Sequence, residues 1–288
     1  MSLPSYVVVT PVRDEERFVG CTVDSMLGQT HKPLRWVVVN DGSTDRTREI
    51  VATKTDGLDW VSILDTGSER RDLGSAEVVA FNRGLASIGD VPWEFVVKLD
   101  ADVAFGPDYF AVLLDRMARE PSWGIVSGVY WEQRDGGAWE PVSMPNYHAA
   151  GACKVVRRAC FEQIRGFATS KGWDTVDEIR ANLRGWRTGH FEDLRFDHLK
   201  PEGSAMGTLA THRFHGLIDY RIGASPVVEL AKAAKRMLFQ RPRILGGLAL
   251  ARGYFSAWLK REPKLVTPEE QRQYRRMVRS RLRHRASS

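Results

Sequence analysis

Phe95-Val96-Val97-Lys98-Leu99-Asp100-Ala101-Asp102 is the stretch on which the reading of this chain turns. An apolar strand ends abruptly in two carboxylates one residue apart. In extended backbone, residues i and i+2 point to the same side, so Asp100 and Asp102 are expected together at the carboxyl end of a buried strand. There they repel each other unless a cation joins them, and strand carboxyl ends are where open α/β sheets take their ligands. A hard divalent ion held by one or two carboxylates, its shell completed by phosphate oxygens, fits this placement. The competing reading is an acidic turn whose side chains bond nearby backbone N–H groups.

Working outward, Tyr6–Thr10 is a short, β-branched, continuously apolar run, as expected of a buried parallel strand. Asp14 or Glu15 opens a helix that carries Phe18, Val19, Thr22, Val23, Met26 and Leu27 at helical spacing. Further strands are expected at Leu34–Val39, Val61–Leu64, Glu94–Leu99 and Gly124–Trp131, with helices at Arg46–Lys54, Ser75–Ser87 and Pro107–Met117. Strands alternating with helices over short loops predict a doubly wound α/β half with a mostly parallel central sheet. The second half is less regular. Ala149–Val156 reads as a strand, and Arg158–Gln163 and Asp174–Arg184 as helices.

The chain has 288 residues, 43% of them hydrophobic and 27% charged, which is enough to bury a full core. Cys21, Cys153 and Cys160 are odd in number and lack C-x-x-C spacing. That argues against a disulfide framework or a zinc site and predicts three buried small hydrophobes in a reducing, cytoplasmic compartment. Met1–Ser5 lacks a basic n-region, so no signal peptide is expected.

An α/β start invites a dinucleotide reading, yet the first strand-to-helix turn, Pro11-Val12-Arg13-Asp14-Glu15, holds no glycine. The close pyrophosphate approach of a G-x-G-x-x-G turn is therefore excluded, and no phosphate-loop motif occurs. Instead acids follow three candidate strands: Glu15, then Asp41, then Asp100 and Asp102. Carboxylates accept hydrogen bonds from a base or from ribose and repel phosphate unless a metal intervenes. Such a site would hold a nucleoside by its sugar and base and reach its diphosphate through a cation.

These residues resemble those of the inverting family 2 glycosyltransferases, which have the GT-A fold. VVVTPVRDEE is similar to that family's first strand and turn, WVVVNDGSTDRT to its second, and KLDADV to its D-x-D motif. Together they cover about the first 105 residues. The resemblance implies a GT-A-type nucleotide-diphospho-sugar transferase fold, a sugar-nucleotide donor, Mn2+ or Mg2+, and transfer of one sugar with inversion. Carried over, Thr10, Pro11, Arg13 and Glu15 would line the nucleoside, and Asp41 with Ser43 would lie at the base. Arg71 would contact the nucleotide, Asp100 the ribose or metal, and Asp102 the metal.

The later part departs from the family's pattern. Arg180 and Gly185 fit expected positions, which puts Asp174 where an acid belongs and Trp173 where a preceding acid is usual. Asp174 is then the expected base for the acceptor hydroxyl, with Asp177 or Glu178 as substitutes on the same helix face. The bland alternative makes Asp174 an N-cap and Asp177 its capping-box partner. His198, in a segment similar to the family's "H-x-R-x-x-G", is a candidate added metal ligand, with His212 and His215 competing for that role.

The formal net charge is +6, and much of the excess lies beyond residue 230. Residues 1–222 are read as the transferase domain and 223–288 as a C-terminal basic, helical extension. Val227–Leu238 forms a basic amphipathic helix, Pro242 breaks it, and Ile244–Leu259 is apolar, glycine-containing and too short to span a bilayer. This suits contact with an anionic membrane surface, peripheral on the inner face of the cytoplasmic membrane. Packing on the catalytic domain, or in a homodimer, is the other reading. The implied acceptor is a saccharide or a polyprenyl-linked sugar in envelope polysaccharide or glycolipid assembly. A nucleotidyltransferase would need a glycine-rich basic turn after the first strand, which is lacking. A nucleic-acid-binding tail has little support, since Tyr274 is the one aromatic residue in Arg272–Arg285.

Overall fold

The structure, a computed structural model, describes residues 3–67, 76–133, 137–200, 207–239 and 242–286. The first half alternates strictly: β1 (Tyr6–Val12), α1 (Val19–Leu27), β2 (Arg35–Asn40), α2 (Thr47–Lys54), β3 (Val61–Asp65), α3 (Ala76–Ser87) and β4 (Phe95–Leu99). Then come β5 (Val103–Phe105), α4 (Tyr109–Arg119), β6 (Trp123–Gln133), β7 (Trp139–Pro141), β8 (Cys153–Arg157), α5 (Arg158–Ile164), α6 (Trp173–Leu183) and β9 (Arg187–His198). Four helices close the chain: α7 (Thr208–Arg221), α8 (Pro226–Phe239), α9 (Arg243–Leu259) and α10 (Pro268–Ala286).

Among the described residues the strands form one sheet in the order β3-β2-β1-β4-β8-β6-β9-β5, with β7 added on β6. The expected parallel arrangement belongs to β3, β2, β1 and β4. Beyond β4 the sheet is mixed: β8 is antiparallel to both β4 and β6, whereas β9 is parallel to β6. Helices cover both faces of the parallel part. Tyr6 and Val8 of β1 pack with Val23 of α1 and Phe110 of α4, while Val7 and Val9 pack with Val78 and Phe81 of α3. A strand buried on both sides needs apolar residues at every position, which is why these runs are continuous rather than alternating.

The order reverses at β1, where β2 and β4 leave on opposite sides, and all four parallel strands end at one edge. That is the crevice in which such sheets bind ligands. Several expectations shift locally. Residues 149–152 form a turn ahead of β8 rather than strand, and α4 begins two residues after Pro107. Cys21 is exposed on α1, unlike the buried Cys153 and Cys160, and all three thiols are free.

The closing helices join the rest through a third core, where Val176 and Ile179 of α6 pack with Ile218, Tyr254, Tyr274 and Met277. α7, on the N-terminal side of the division expected at residue 222, packs on α9. A Cβ at Gly216 would stand 2.0 Å from Leu250 O, and one at Gly253 would stand 1.9 Å from Arg213 O. Only glycine permits that backbone approach.

Candidate functional site

β4 delivers its two aspartates into a turn rather than further strand, and the turn separates them. Asp100 pairs with the Lys98 ammonium, which is also paired with Glu77 and donates to Gly151 O at 3.1 Å. Burial opposes the Lys98 charge, but the Asp100 and Glu77 carboxylates outweigh it and hold the ammonium above the ordinary lysine range. Burial, with the charges of Glu77 and Asp102, pushes Asp100 up to about 7 against the pull of Lys98. Asp102 faces His198 instead, Oδ2 to Nε2 at 3.6 Å, and the His198 Nδ1 lies 3.0 Å from Glu132 Oε1. Burial works against the charged imidazole, yet Glu132 and the two aspartates raise its pKa above the ordinary histidine value.

A carboxylate that holds one imidazole nitrogen and leaves the other toward an acid is how proteins orient a histidine for a metal. Asp102 and His198 fit a hard cation as a partial shell, which ligand oxygens would complete. Asp100, turned to Lys98, does not join them. Among the described residues no set of three or more His, Cys, Asp or Glu side chains is arranged to hold a metal alone. His212 contacts Arg236 of α8, and His215 lines a different cavity, so neither approaches Asp102.

Two cavities, each of about 370 Å³, adjoin at the start of α6. The first is charged and includes Lys98, Asp100, Lys171 and His198 in its walls. The second carries fewer charges, Asp174 and Asp219 alone among the Asp, Glu, Lys and Arg of its described walls, and is bounded by Tyr147, Phe214, His215 and Tyr274. His148, Gly172, Asp174 and Phe214 belong to both. The cap of α6 is Gly172, with φ 83°, so Asp174 lies inside the first turn instead of capping it. Its Oδ1 accepts from Thr175 N at 2.8 Å, and its Oδ2 lies 4.0 Å from His148 Nε2. Burial raises the Asp174 pKa, but the charges of Lys154 and His148 outweigh this and hold it below the usual carboxylate range.

The other two acids of that helix do not reach either cavity. Asp177 is fully buried, accepts from Ala168 N at 3.0 Å, and is pushed up to about 7 by burial. Glu178 is also fully buried; its Oε1 accepts from Ala149 N at 2.8 Å and lies 3.0 Å from His148 Nδ1. Asp177 is therefore corrected from substitute base to internal support. Reaching an acceptor takes an exposed carboxylate, and of the three only Asp174, with its side chain 33% exposed, lines a cavity.

The expected nucleoside residues build a double turn at the ends of β1 and β2. Asp14, at φ 53°, accepts from Thr44 N, while Asp14 N donates to Ser43 Oγ. Asp41 accepts from the Thr66 hydroxyl at 2.8 Å and stands 4.0 Å from the Arg13 guanidinium. Glu15 is paired with Lys200, and its pKa is raised by burial and by the charge of Asp102, against Lys200. Pro11 is half-buried beside them. Thr10 is placed otherwise than expected: it is 1% exposed and its hydroxyl accepts from Trp36 Nε1, so its side chain faces the core. Arg71 lies outside the described residues.

A model described as Glycosyl transferase family 2 matches residues 7–176, more than half of the chain. The chain belongs to glycosyl transferase family 2. N-acetylglucosaminyl-diphospho-decaprenol L-rhamnosyltransferase of Mycobacterium tuberculosis is 26% identical over 207 residues, covering 56% of this chain and 62% of its own. Glycosyltransferase GlyA of Streptococcus pneumoniae is 28% identical over 200 residues, covering 66% and 25%. This family 2 chain thus spans less than two thirds of either relative. Mannosyltransferase PcManGT from Pyrobaculum calidifontis, solved with GDP-Man and Mn2+, has a TM-score of 0.59 at 19% identity, covering 93% of this chain and 78% of that one. S. aureus TarS 1-349 with UDP-GlcNAc has a TM-score of 0.55 at 16% identity, covering 96% and 80%. At these identities the likeness is one of fold, and it is the GT-A fold.

In this family 2 chain several site residues escape a reading of motifs. Trp173, where an acid is usual, has the Lys98 and Lys154 ammoniums 5.3 and 4.8 Å from its ring. Cation–π contact compensates two buried lysines that a plain apolar wall would not. Lys98 sits within an apolar strand, where a charge is the anomaly that could have flagged it. His148 precedes the small residues Ala149-Ala150-Gly151 and offered no such signal.

Proposed function

We propose that this family 2 chain moves one sugar from a nucleoside-diphosphate donor to an acceptor hydroxyl, inverting the anomeric carbon. The observation that carries the reading is the position of Asp174 on the wall shared by a highly charged cavity and a less charged one. The charged cavity takes the donor, and its lysines answer the diphosphate. The less charged one takes the acceptor, whose sugar faces pack on Tyr147, Phe214 and Tyr274.

Asp174 Oδ2 accepts the proton of the attacking hydroxyl, which displaces the nucleoside diphosphate from the opposite face of the sugar. His148, anchored by Glu178, holds that carboxylate ionised and in place. Asp102 and His198 would hold Mn2+ or Mg2+, which supplies positive charge to the diphosphate oxygens. The Arg13, Glu15, Asp41 and Ser43 turns lie at the strand ends where the nucleoside belongs. A relative named for action on a diphospho-decaprenol sugar supports a saccharide or polyprenyl-linked acceptor, used at the cytoplasmic side of a membrane.

Asp174→Asn tests this. It is expected to lower turnover about 10²- to 10⁴-fold, the usual contribution of a positioned base, while donor binding measured calorimetrically stays unchanged. Retained turnover would remove Asp174 from the reaction.

A further inference from the structure

α8 is amphipathic in the reverse of the usual sense. Its polar side faces the protein: Lys232 pairs with Asp219 of α7 at 2.6 Å, Arg236 meets His212 of α7, and Glu229 is fully buried. Helical spacing puts Val227, Leu230, Ala231, Ala234 and Leu238 on the opposite side, and all five are exposed. Val227, Leu230 and Leu238 are 76%, 53% and 65% exposed, so the apolar stripe does not pack on the catalytic domain.

α9 extends the same surface. Gly247 lies against Ala233 and Met237 of α8, and Tyr254 Oη donates to Ala224 O just ahead of α8, so the two helices run antiparallel. Both rest on α7. Helical spacing then puts Ile244 and Leu248 on the side away from α7, beside the α8 stripe, and Leu245 on the flank away from α8. All three are exposed, as are Trp258 and Leu259 at the far end. Eight of the twelve large hydrophobic side chains exposed among the described residues belong to this hairpin. Soluble surfaces seldom gather apolar groups in this way without a partner.

We propose that the outer face of the α8–α9 hairpin seats the protein on an anionic lipid bilayer, lying in the interface without crossing it. Among the described residues no helix is long and apolar enough to cross. Charge selects the occupant. From Pro226 to Arg261 there are eight basic residues and one acid, the buried Glu229. Lys235, Arg243, Arg252, Lys260 and Arg261 are exposed on the hairpin and at its end. A second copy docked face to face would bring two such rims together, with no acid on the hairpin surface to answer them. Anionic headgroups neutralise the rim while the apolar face enters the acyl boundary. The inference stands on these helices and does not depend on the reaction proposed above.

Vesicle sedimentation of the full chain tests it, with phosphatidylcholine alone and with phosphatidylglycerol added. Binding to the anionic vesicles is expected to be at least about tenfold tighter than to the neutral ones. The double variant Leu245→Glu, Leu248→Glu is expected to lose at least about tenfold of that binding with its melting temperature and donor binding unchanged, since both side chains are exposed. Wild-type protein that stays in the supernatant, or a double variant that binds as wild type does, would overturn the proposal. So would a dimer that the same double variant dissociates and that leaves vesicles unbound.

Discussion

Asp174 and Asp177 stand one helical turn apart on α6 and meet different surroundings. The first is held charged by Lys154 and His148 beside open space; the second is pushed up to about 7 by burial. Unfolded, Asp177 titrates near about 3.9. From there up to its folded value the native chain binds a proton that the unfolded chain has released, so stability falls as pH rises across that window and levels off above it. Asp177→Asn removes this loss. It is expected to raise the melting temperature at about pH 8, to give no gain at about pH 4, and to preserve turnover. A melting temperature shifted equally at both pH values, or turnover lost at both, would contradict the internal role given to this carboxylate. Spacing alone placed Asp174, Asp177 and Glu178 on one helix face. It carries no information on which of them the segments at Ala149 and Ala168 cover.

At the scale of elements, what could be read in advance follows burial. β1, β2 and β4 are covered on both faces and announce themselves as unbroken apolar runs. β9 was missed because Arg187–His198 is charged and only partly buried, with register shifts against β6 that break any alternation. α7 was missed because it packs on α9 through a glycine crossing rather than an apolar stripe. The stripe of α8 was legible, but its direction was not: Asp219 and His212 of α7 meet its polar side and turn it inward. The crossing makes its own prediction. Gly253→Ala is expected to destabilise the fold by about 1–3 kcal/mol in chemical denaturation, because the new methyl meets backbone rather than a yielding side chain. Gly20→Ala on α1, where a Cβ meets Lys54 Cε at 3.5 Å, is the control and is expected to stabilise by up to about 1 kcal/mol. Equal effects at the two sites would refute the close approach.

For the whole molecule, the parallel sheet and the acidic strand ends were readable from the first 105 residues, and the reversal of strand order at β1, seen in the structure, suits the donor cleft proposed above. Which acid meets which cation was not readable, because the partners of Asp102 come from segments far apart in sequence. Lys98 neutralises Asp100 from within the same strand, while Asp102 depends on His198 and Glu132, brought alongside by β9 and β6. The result divides two adjacent aspartates between an internal ammonium and an open pairing with an imidazole. On the function proposed above, an acidic cleft arranged in this way would accept a diphosphate only with a cation between them. Thermal denaturation with a nucleoside diphosphate, in the presence of Mn2+ or of EDTA, measures that most directly, since a ligand of the native state alone raises its melting point. The melting temperature should rise with Mn2+ present, remain unchanged with EDTA, and remain unchanged under both conditions for Asp102→Ala. An equal rise in EDTA, or an undiminished rise in Asp102→Ala, would contradict the account.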